Sequence, residues 1–331
     1  MGAGGDIKSS WSDRSVLVTG ATGMIGSSVV TELLGAGANV VCLVLDADPQ
    51  SELLRSGNIN RTSVVNGDLT DFWTVERAVN DHEVDTIIHL GAQTIVGTAH
   101  RFPLPTLETN IRGTYNVLEC ARLHGGIVKR VVVASSDKAY GDQSDLPYTE
   151  ETPLGAQFPY DVSKACADLI AQMYYNSFGL PVTVARCGNV YGEGDLNWSR
   201  IVPGTIRSLL NKTSPIIRSD GKYVRDYIYV QDVAQAYLEL ADVSGDEGIA
   251  GEAFNFSNET PVTVLEMVAE IASALDVSDI LPTVLNEAQG EIKNQYLSSE
   301  KARERLGWKA RFSLSQGLQK TIKWYQNLLG L

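Results

Sequence analysis

The stretch TGATGMIG, residues 19–26, constrains this chain more than any other part of it. Gly20, Gly23 and Gly26 fall between an apolar β-branched run, SVLV, and a helix-period segment, MIGSSVVTELLGAG. Glycines at such a turn let backbone amides come close to a ligand that side chains would hold off. NVVCLVLD, TSVVNGD, DTIIHLGA, KRVVVASS and PVTVARC then read as further strands buried on both faces. Between them FWTVERAVND and TLETNIRGTYNVLECARLHG read as helices. Strands and helices in alternation imply an α/β fold of Rossmann type, a doubly wound parallel sheet with a smaller C-terminal substrate-binding domain.

After Cys187 the rhythm loosens into loops, with helices expected at IVPGTIRSLLN and VQDVAQAYLELAD. Residues 12–187 are expected to form the dinucleotide-binding domain, and segments near 188–192 and 226–257 to return to it. Residues 193–331 are then mainly the substrate domain. The Gly- and Ser-rich start, Met1 to Trp11, is expected to fray.

Charge narrows the partners. Asp and Glu number 40 against 27 Lys and Arg, a formal net charge of -13, so the bulk field repels nucleic acid. A small anion is still compatible with a few converging arginines. No apolar run approaches the length of a membrane span and no cationic leader precedes one, so the expected location is the cytoplasm. Cys42, Cys120, Cys166 and Cys187 are far apart and mostly in apolar runs, which suits buried hydrophobes. His82, His89, His100 and His124 lack ligand spacing, and no metal site is expected.

The glycine turn suits a dinucleotide, its pyrophosphate over the start of the helix. Asp46 ends the second strand about twenty residues further on, where a carboxylate bonds ribose hydroxyls and repels a ribose phosphate, favouring NAD. The alternative is a turn opened with Asp48 and Pro49. Asp68 could reach the adenine or cap a helix. Main chain at Leu90, Gly91 and Ala92 could line the cofactor.

Tyr160 and Lys164 stand four residues apart in a helix-compatible segment, on one face, and an ammonium beside a phenol lowers the phenol's pKa. Ser136 precedes them at the end of a strand. Asp161 and Glu150 read as structural, one a cap and the other a loop residue.

With TGATGMIG, GDLTD, HLGAQ, TNIRGTYNVLE, SSDKAYG, YDVSK, RCGNVYGEGD and RDYIYVQDVA on the page, the chain resembles the extended short-chain dehydrogenases/reductases over essentially its full length. These are the NAD-dependent nucleotide-sugar epimerases and dehydratases. The resemblance makes Ser136 the hydroxyl on the substrate oxygen, Tyr160 the base and Lys164 its activator. It also adds Met24, Ile25, Leu69, Gln93 and Asn110 to the cofactor set, and Gln93 to the sugar-nucleotide set. A homodimer through the helices around 110–123 and 160–178 is implied as well.

Within that family the SDK run is similar to CDP-glucose 4,6-dehydratases, as are HLGAQ, the spacing of Pro103, Thr106, Thr109 and Asn110, and GNVYGEGDLNWSRIVP with Asp195, Arg200 and Pro203. ATGMIG and RDYIYV keep the family's general form. The reaction implied is 4,6-dehydration, with Asp137 as a protonated acid and Lys138 as a neutral base or an electrostatic stabiliser. A solvated turn is the other reading of that pair. Asn189 and Arg225 are implied to hold the diphosphate with Arg200 near it, and Arg218 is a further candidate; surface ion pairing is the alternative for the arginines. The rival functions are an NDP-sugar 4-epimerase, using the same Tyr160, Lys164 and NAD, and a catalytically silent NAD sensor, which would need the glycine turn alone.

Overall fold

The computed structural model describes residues 11–287 and 291–331. Six strands form where the apolar runs lie: β1 (Ser15–Thr19), β2 (Asn39–Val44), β3 (Ser63–Asn66), β4 (Thr86–His89), β5 (Arg130–Ala134) and β6 (Val182–Cys187). With β10 (Ala253–Phe256) they make one seven-stranded sheet in the order β10-β6-β5-β4-β1-β2-β3. Every pairing in it is parallel. The order reverses between β1 and β4, so the crevice for a ligand opens there.

Alternate side chains of each strand feed two cores. Val16 and Val18 of β1 join Val29, Val30 and Leu33 of α1 (Met24–Gly35) on one face. On the other, Leu17 meets Val75 and Val79 of α2 (Phe72–Asp81), Val117 and Ala121 of α3 (Gly113–Leu123) and Ala171 of α4 (Pro159–Phe178). Such two-sided burial is why the strands lack a polar stripe.

A smaller assembly follows. β7 (Asn189–Tyr191) and β13 (Asn294–Gln295) pair parallel with β9 (Val224–Tyr229), and β11 (Pro261–Thr263) pairs with it antiparallel. β8 (Ile216–Ile217) and β12 (Thr283–Val284) form a separate ribbon. Around β9 pack α5 (Ile201–Leu210), α7 (Val264–Ala274) and α8 (Leu314–Leu329), with Ile206, Met267, Ile271, Leu318 and Tyr325 in their core. α6 (Val230–Val243) instead packs on α1, against the large sheet.

Three expectations are corrected. The segment 188–192 does not rejoin the large sheet; β7 pairs with β9, whereas β10 does sit at the large sheet's edge. The helix expected over 106–125 runs without a break from Pro103 to Leu123, beginning earlier and ending sooner, and contains a π-helical turn at Glu108–Arg112, where Asn110 turns its amide inward to other partners. Residues 1–10 of the start expected to fray lie outside the described residues, but Trp11 is buried, with the Arg14 guanidinium 4.5 Å over its ring.

Candidate active site

The glycine turn lies at the switch point. Gly20 has a left-handed φ of 67°, and a Cβ on it would come within 2.8 Å of the Gly91 backbone at the end of β4. A Cβ on Gly26 would stand 2.1 Å from the Gly20 carbonyl oxygen. Gly23 differs: a Cβ there would meet only that oxygen, at 3.3 Å, leaving the space over the helix start open. The amides of Met24, Ile25 and Gly26, in the first turn of α1, have no intrahelical acceptor. An open turn with unpaired N–H groups fits a pyrophosphate.

The other cofactor candidates border the same crevice. Asp46 is exposed just past β2, and the turn beside it is made by Asp48, whose Oδ1 accepts from the Gln50 amide at 2.8 Å. Asp68 does not cap α2; Asp71 does, and the Asp68 Oδ1 accepts from the Thr70 amide at 2.8 Å. Leu69 is buried against Gly91 and Gly113. Thr19 Oγ1 accepts from the amides of Leu90, at 3.1 Å, and Gly91, at 3.0 Å, which ties the β4 loop to β1. Ala92 is half-buried and Gln93 exposed. Asn110 fixes Gln93 through its backbone, accepting from its amide at 2.7 Å and donating to its carbonyl at 3.1 Å. The Asn110 amide also donates to Ser163 Oγ at 2.8 Å, and that hydroxyl donates to the Tyr160 carbonyl at 2.6 Å. One buried asparagine therefore joins the β4 loop to the first turn of α4.

Ser136 lies two residues past the end of β5 and caps the short turn Asp137–Tyr140, accepting from the Lys138 amide at 3.2 Å. Its hydroxyl donates to Asp137 Oδ1 at 2.9 Å. Asp137 is buried, and its Oδ2 has no hydrogen-bond partner among the described residues. Buried polar atoms are rarely left so, and a ligand hydroxyl would satisfy this one. Lys138 is half-buried, and its pKa is lowered first by desolvation, then by Arg225, while the charges of Asp137, Asp161 and Glu291 oppose the shift. A solvated turn does not describe this pair.

Tyr160 opens α4 and is pushed up to about 12 by burial, with the charge of Asp137 adding to the rise and Arg200 and the Ser136 hydroxyl opposing it. Burial outweighs the lowering expected from Lys164. The Lys164 amine is itself buried, its pKa lowered to about 8, and it donates to the Ala134 carbonyl at 2.8 Å.

Asp161 is not a cap. It is buried among Lys138 and Asp137, and desolvation, then Asp137, raises its pKa to about 6. Glu150 ties its loop to β10, its Oε1 accepting from the Asn255 amide at 2.7 Å.

The anion-binding candidates divide. Arg200 lies just before α5, 38% exposed at its side chain, paired with Asp195 at 3.2 Å and close enough for its charge to act on Tyr160. Asn189 Nδ2 donates to the Asp226 carbonyl at 3.3 Å. Arg225 offers no free fork: it is buried, and its terminal nitrogens donate to the carbonyls of Val224 and Lys293, both at 2.9 Å, and Ile292, at 2.5 Å. Arg218 is exposed after the β8 strand, and its main-chain carbonyl accepts from the Glu287 amide at 2.7 Å. Sequence reasoning missed Gln295, which is buried and bonded to both Asp137 and Lys138. No local spacing could have found a residue so far along the chain.

A family model described as GDP-mannose 4,6 dehydratase matches residues 17–321. The CDP-glucose 4,6-dehydratase of Salmonella typhimurium is 30% identical, over 96% of this chain and 92% of that one. The dTDP-glucose 4,6-dehydratase of Shigella flexneri is 29% identical, over 94% and 92%. Among solved structures, the dTDP-glucose 4,6-dehydratase of Streptomyces venezuelae, with NAD bound, superposes with a TM-score of 0.86 at 28% identity, covering 96% of this chain and 98% of that one. The UDP-glucose 4-epimerase of Thermotoga maritima, with UDP-glucose, gives 0.84 at 29%, covering 96% and 100%. With an open glycine turn for NAD and an acid and an amine beside the tyrosine, this chain belongs to the GDP-mannose 4,6 dehydratase family and is an NAD-dependent nucleotide-sugar 4,6-dehydratase of the extended short-chain dehydrogenase/reductase type.

Proposed function

We propose that the substrate is CDP-glucose, converted to CDP-4-keto-6-deoxyglucose, and that Ser136, Asp137, Lys138, Tyr160 and Lys164 carry the chemistry. The observation that supports this most is the lysine at position 138, half-buried and desolvated beside the carboxylic acid that follows the serine. An enzyme that only inverts carbon 4 needs no acid and base for a second carbon.

Bound NAD would supply the reversible redox chemistry, a hydride acceptor for carbon 4 and a hydride donor for carbon 6. In its phenolate form, which the Arg200 charge and the Ser136 hydroxyl favour against burial, Tyr160 Oη accepts the proton of the 4-hydroxyl, which Ser136 Oγ orients. The resulting ketone acidifies carbon 5, from which Lys138 Nζ removes a proton, its burial favouring the neutral amine. Asp137 delivers a proton to the departing 6-hydroxyl, which leaves as water. As carbon 6 is reduced, the Lys138 ammonium returns a proton, exchangeable with solvent, to carbon 5, and the proton taken by Tyr160 replaces through solvent the one Asp137 gave up, so the sum is the loss of one water with no second substrate.

Gly20, Gly23, Met24, Ile25, Gly26, Asp46, Asp68, Leu69, Leu90, Ala92, Gln93 and Asn110, with Tyr160 and Lys164, hold the cofactor in this reading, mainly within 12–187. The sugar nucleotide lies mainly against 193–331, with Arg200 and Asn189 facing the diphosphate, Ser136 and Gln93 the sugar, and Arg225 ordering the adjacent strand. The protein acts in the cytoplasm, a reducing compartment suited to its four free cysteines. It acts as a homodimer, for which the exposed Tyr115, Leu123, Leu169, Met173 and Phe178 on α3 and α4 supply an apolar face.

Incubation with CDP-, UDP-, GDP- and dTDP-glucose in deuterium oxide, read by product mass and thermal shift, tests the proposal. Loss of one water with deuterium at carbon 5, fastest with CDP-glucose, is expected. Mass unchanged with inversion at carbon 4 would make the enzyme an epimerase. A faster reaction with another nucleotide would overturn the choice of CDP.

A further inference from the structure

We infer that Gln295 is a positioning residue, a neutral clamp that holds the Lys138 amine and the Asp137 main chain in register for the elimination step. The inference rests on the dehydratase reading above. Gln295 is fully buried. Its Nε2 donates to the Asp137 carbonyl at 2.9 Å, and its Oε1 accepts from Lys138 Nζ. A single amide thus grips both ends of the acid-base pair from a strand of the small sheet.

That strand is itself held from two sides. Gln295 sits opposite Arg225 in the β13–β9 register, and the Arg225 guanidinium binds the carbonyls of Ile292 and Lys293 just before it. On the far side the Tyr148 amide donates to the Tyr296 carbonyl and the Ser298 amide to the Tyr148 carbonyl, both at 2.9 Å. Gln295 is delivered to the site by backbone on each flank.

Neutrality is the point of the amide. The charges acting on Lys138 are those of Asp137, Asp161 and Glu291, which favour the ammonium, and of Arg225, which disfavours it. A fourth carboxylate in contact would hold the amine protonated. An amide oxygen fixes one N–H and leaves the amine able to lose a proton, so its lone pair can face carbon 5. A hydrocarbon of similar length would leave the amine free to rotate.

Gln295→Met and Gln295→Glu separate these effects. In the methionine variant, reduction of bound NAD by the sugar nucleotide should keep its wild-type rate while water loss slows about 10- to 100-fold, so reduced cofactor accumulates. In the glutamate variant the acid limb of the pH profile for water loss should move up by about one unit or more. NMR titration of the Lys138 Nζ, assigned with Lys138→Arg and recorded without sugar nucleotide, gives a readout independent of turnover. It should titrate higher in the glutamate variant than in the wild type. Equal slowing of both steps, or a Lys138 titration unmoved in the glutamate variant, overturns the inference. Wild-type protein that dehydrates no NDP-hexose would instead refute the dehydratase reading, and the titration would still decide whether Gln295 controls the amine.

Discussion

The Nζ of Lys164 rests 2.8 Å from the carbonyl oxygen of Ala134, the last residue of β5. One turn of helix earlier, Tyr160 rises to about 12, chiefly through burial. A lysine four residues from a tyrosine is thus not sufficient to acidify it; here the amine is desolvated and engaged with the sheet. The positive charge that reaches the phenol comes from Arg200.

Lys164→Met should stabilise the protein while slowing turnover. The folded amine, at about 8, lies below the 10.5 of an exposed lysine, so below pH 8 folding forces a charge into the interior. Between pH 8 and 10.5 the unfolded chain still holds the proton that the folded one has released, and stability rises with pH. Net of the lost hydrogen bond, the methionine variant should gain about 2 kcal/mol at pH 7, shrinking toward pH 10.5. Denaturant titrations at three pH values check this, and turnover should fall about 1000-fold.

Gly23→Ala and Gly26→Ala should fail differently. The added methyl at position 23 meets only the Gly20 oxygen, at 3.3 Å, so the fold should persist and NAD affinity drop about 10-fold or more. At position 26 the methyl would lie 2.1 Å from that same oxygen, and the turn must distort. Melting temperature should therefore fall for Gly26→Ala and hold for Gly23→Ala, as calorimetry with and without NAD would register.

Asp161→Asn should stabilise at neutral pH and not in acid. The folded carboxyl, raised to about 6 from 3.8, retains a proton that the unfolded chain has lost, so its destabilising contribution grows from pH 3.8 and is complete above about 6. A gain of about 1–3 kcal/mol at pH 8 that vanishes near pH 3.5 is expected from urea melts. A gain independent of pH would mean that the packing of Asp161, not its charge, matters.

Leu169→Glu should convert the proposed dimer to monomers. Leu169 and Met173 lie one turn apart on the exposed face of α4, 56% and 42% exposed in the single chain. A carboxylate buried in an apolar contact without a partner costs several kcal/mol. Light scattering would read the change directly; a protein monomeric before the substitution would remove the proposal.

Much of the fold was legible because it is written locally. β1 to β6 coincide with apolar runs, and the glycine turn with the start of α1. That Ser136 follows a strand and Tyr160 lies in the first turn of a helix was legible for the same reason, since each lies in one short segment. What escaped reading depends on distance and desolvation. Gln295 meets Lys138 from 157 residues away. Asp161 looks like a first-turn helix acid until the Asp137 turn is packed against it. Arg225 looks like a phosphate ligand until the carbonyls of Ile292 and Lys293 are brought to it.

The π-helical turn at Glu108–Arg112 carries one residue more than a regular α-helix would need, and Asn110 lies in its middle. Losing that single residue would restore an unbroken spiral and leave the chain shorter by one position. Everything upstream would then swing by about a quarter of a revolution, and the grip on Gln93 and Ser163 would pass to a different side chain. This stretch therefore tolerates substitution far better than insertion or deletion, and a gap opening here between two otherwise alignable sequences would signal a change in how the β4 loop is fastened to α4.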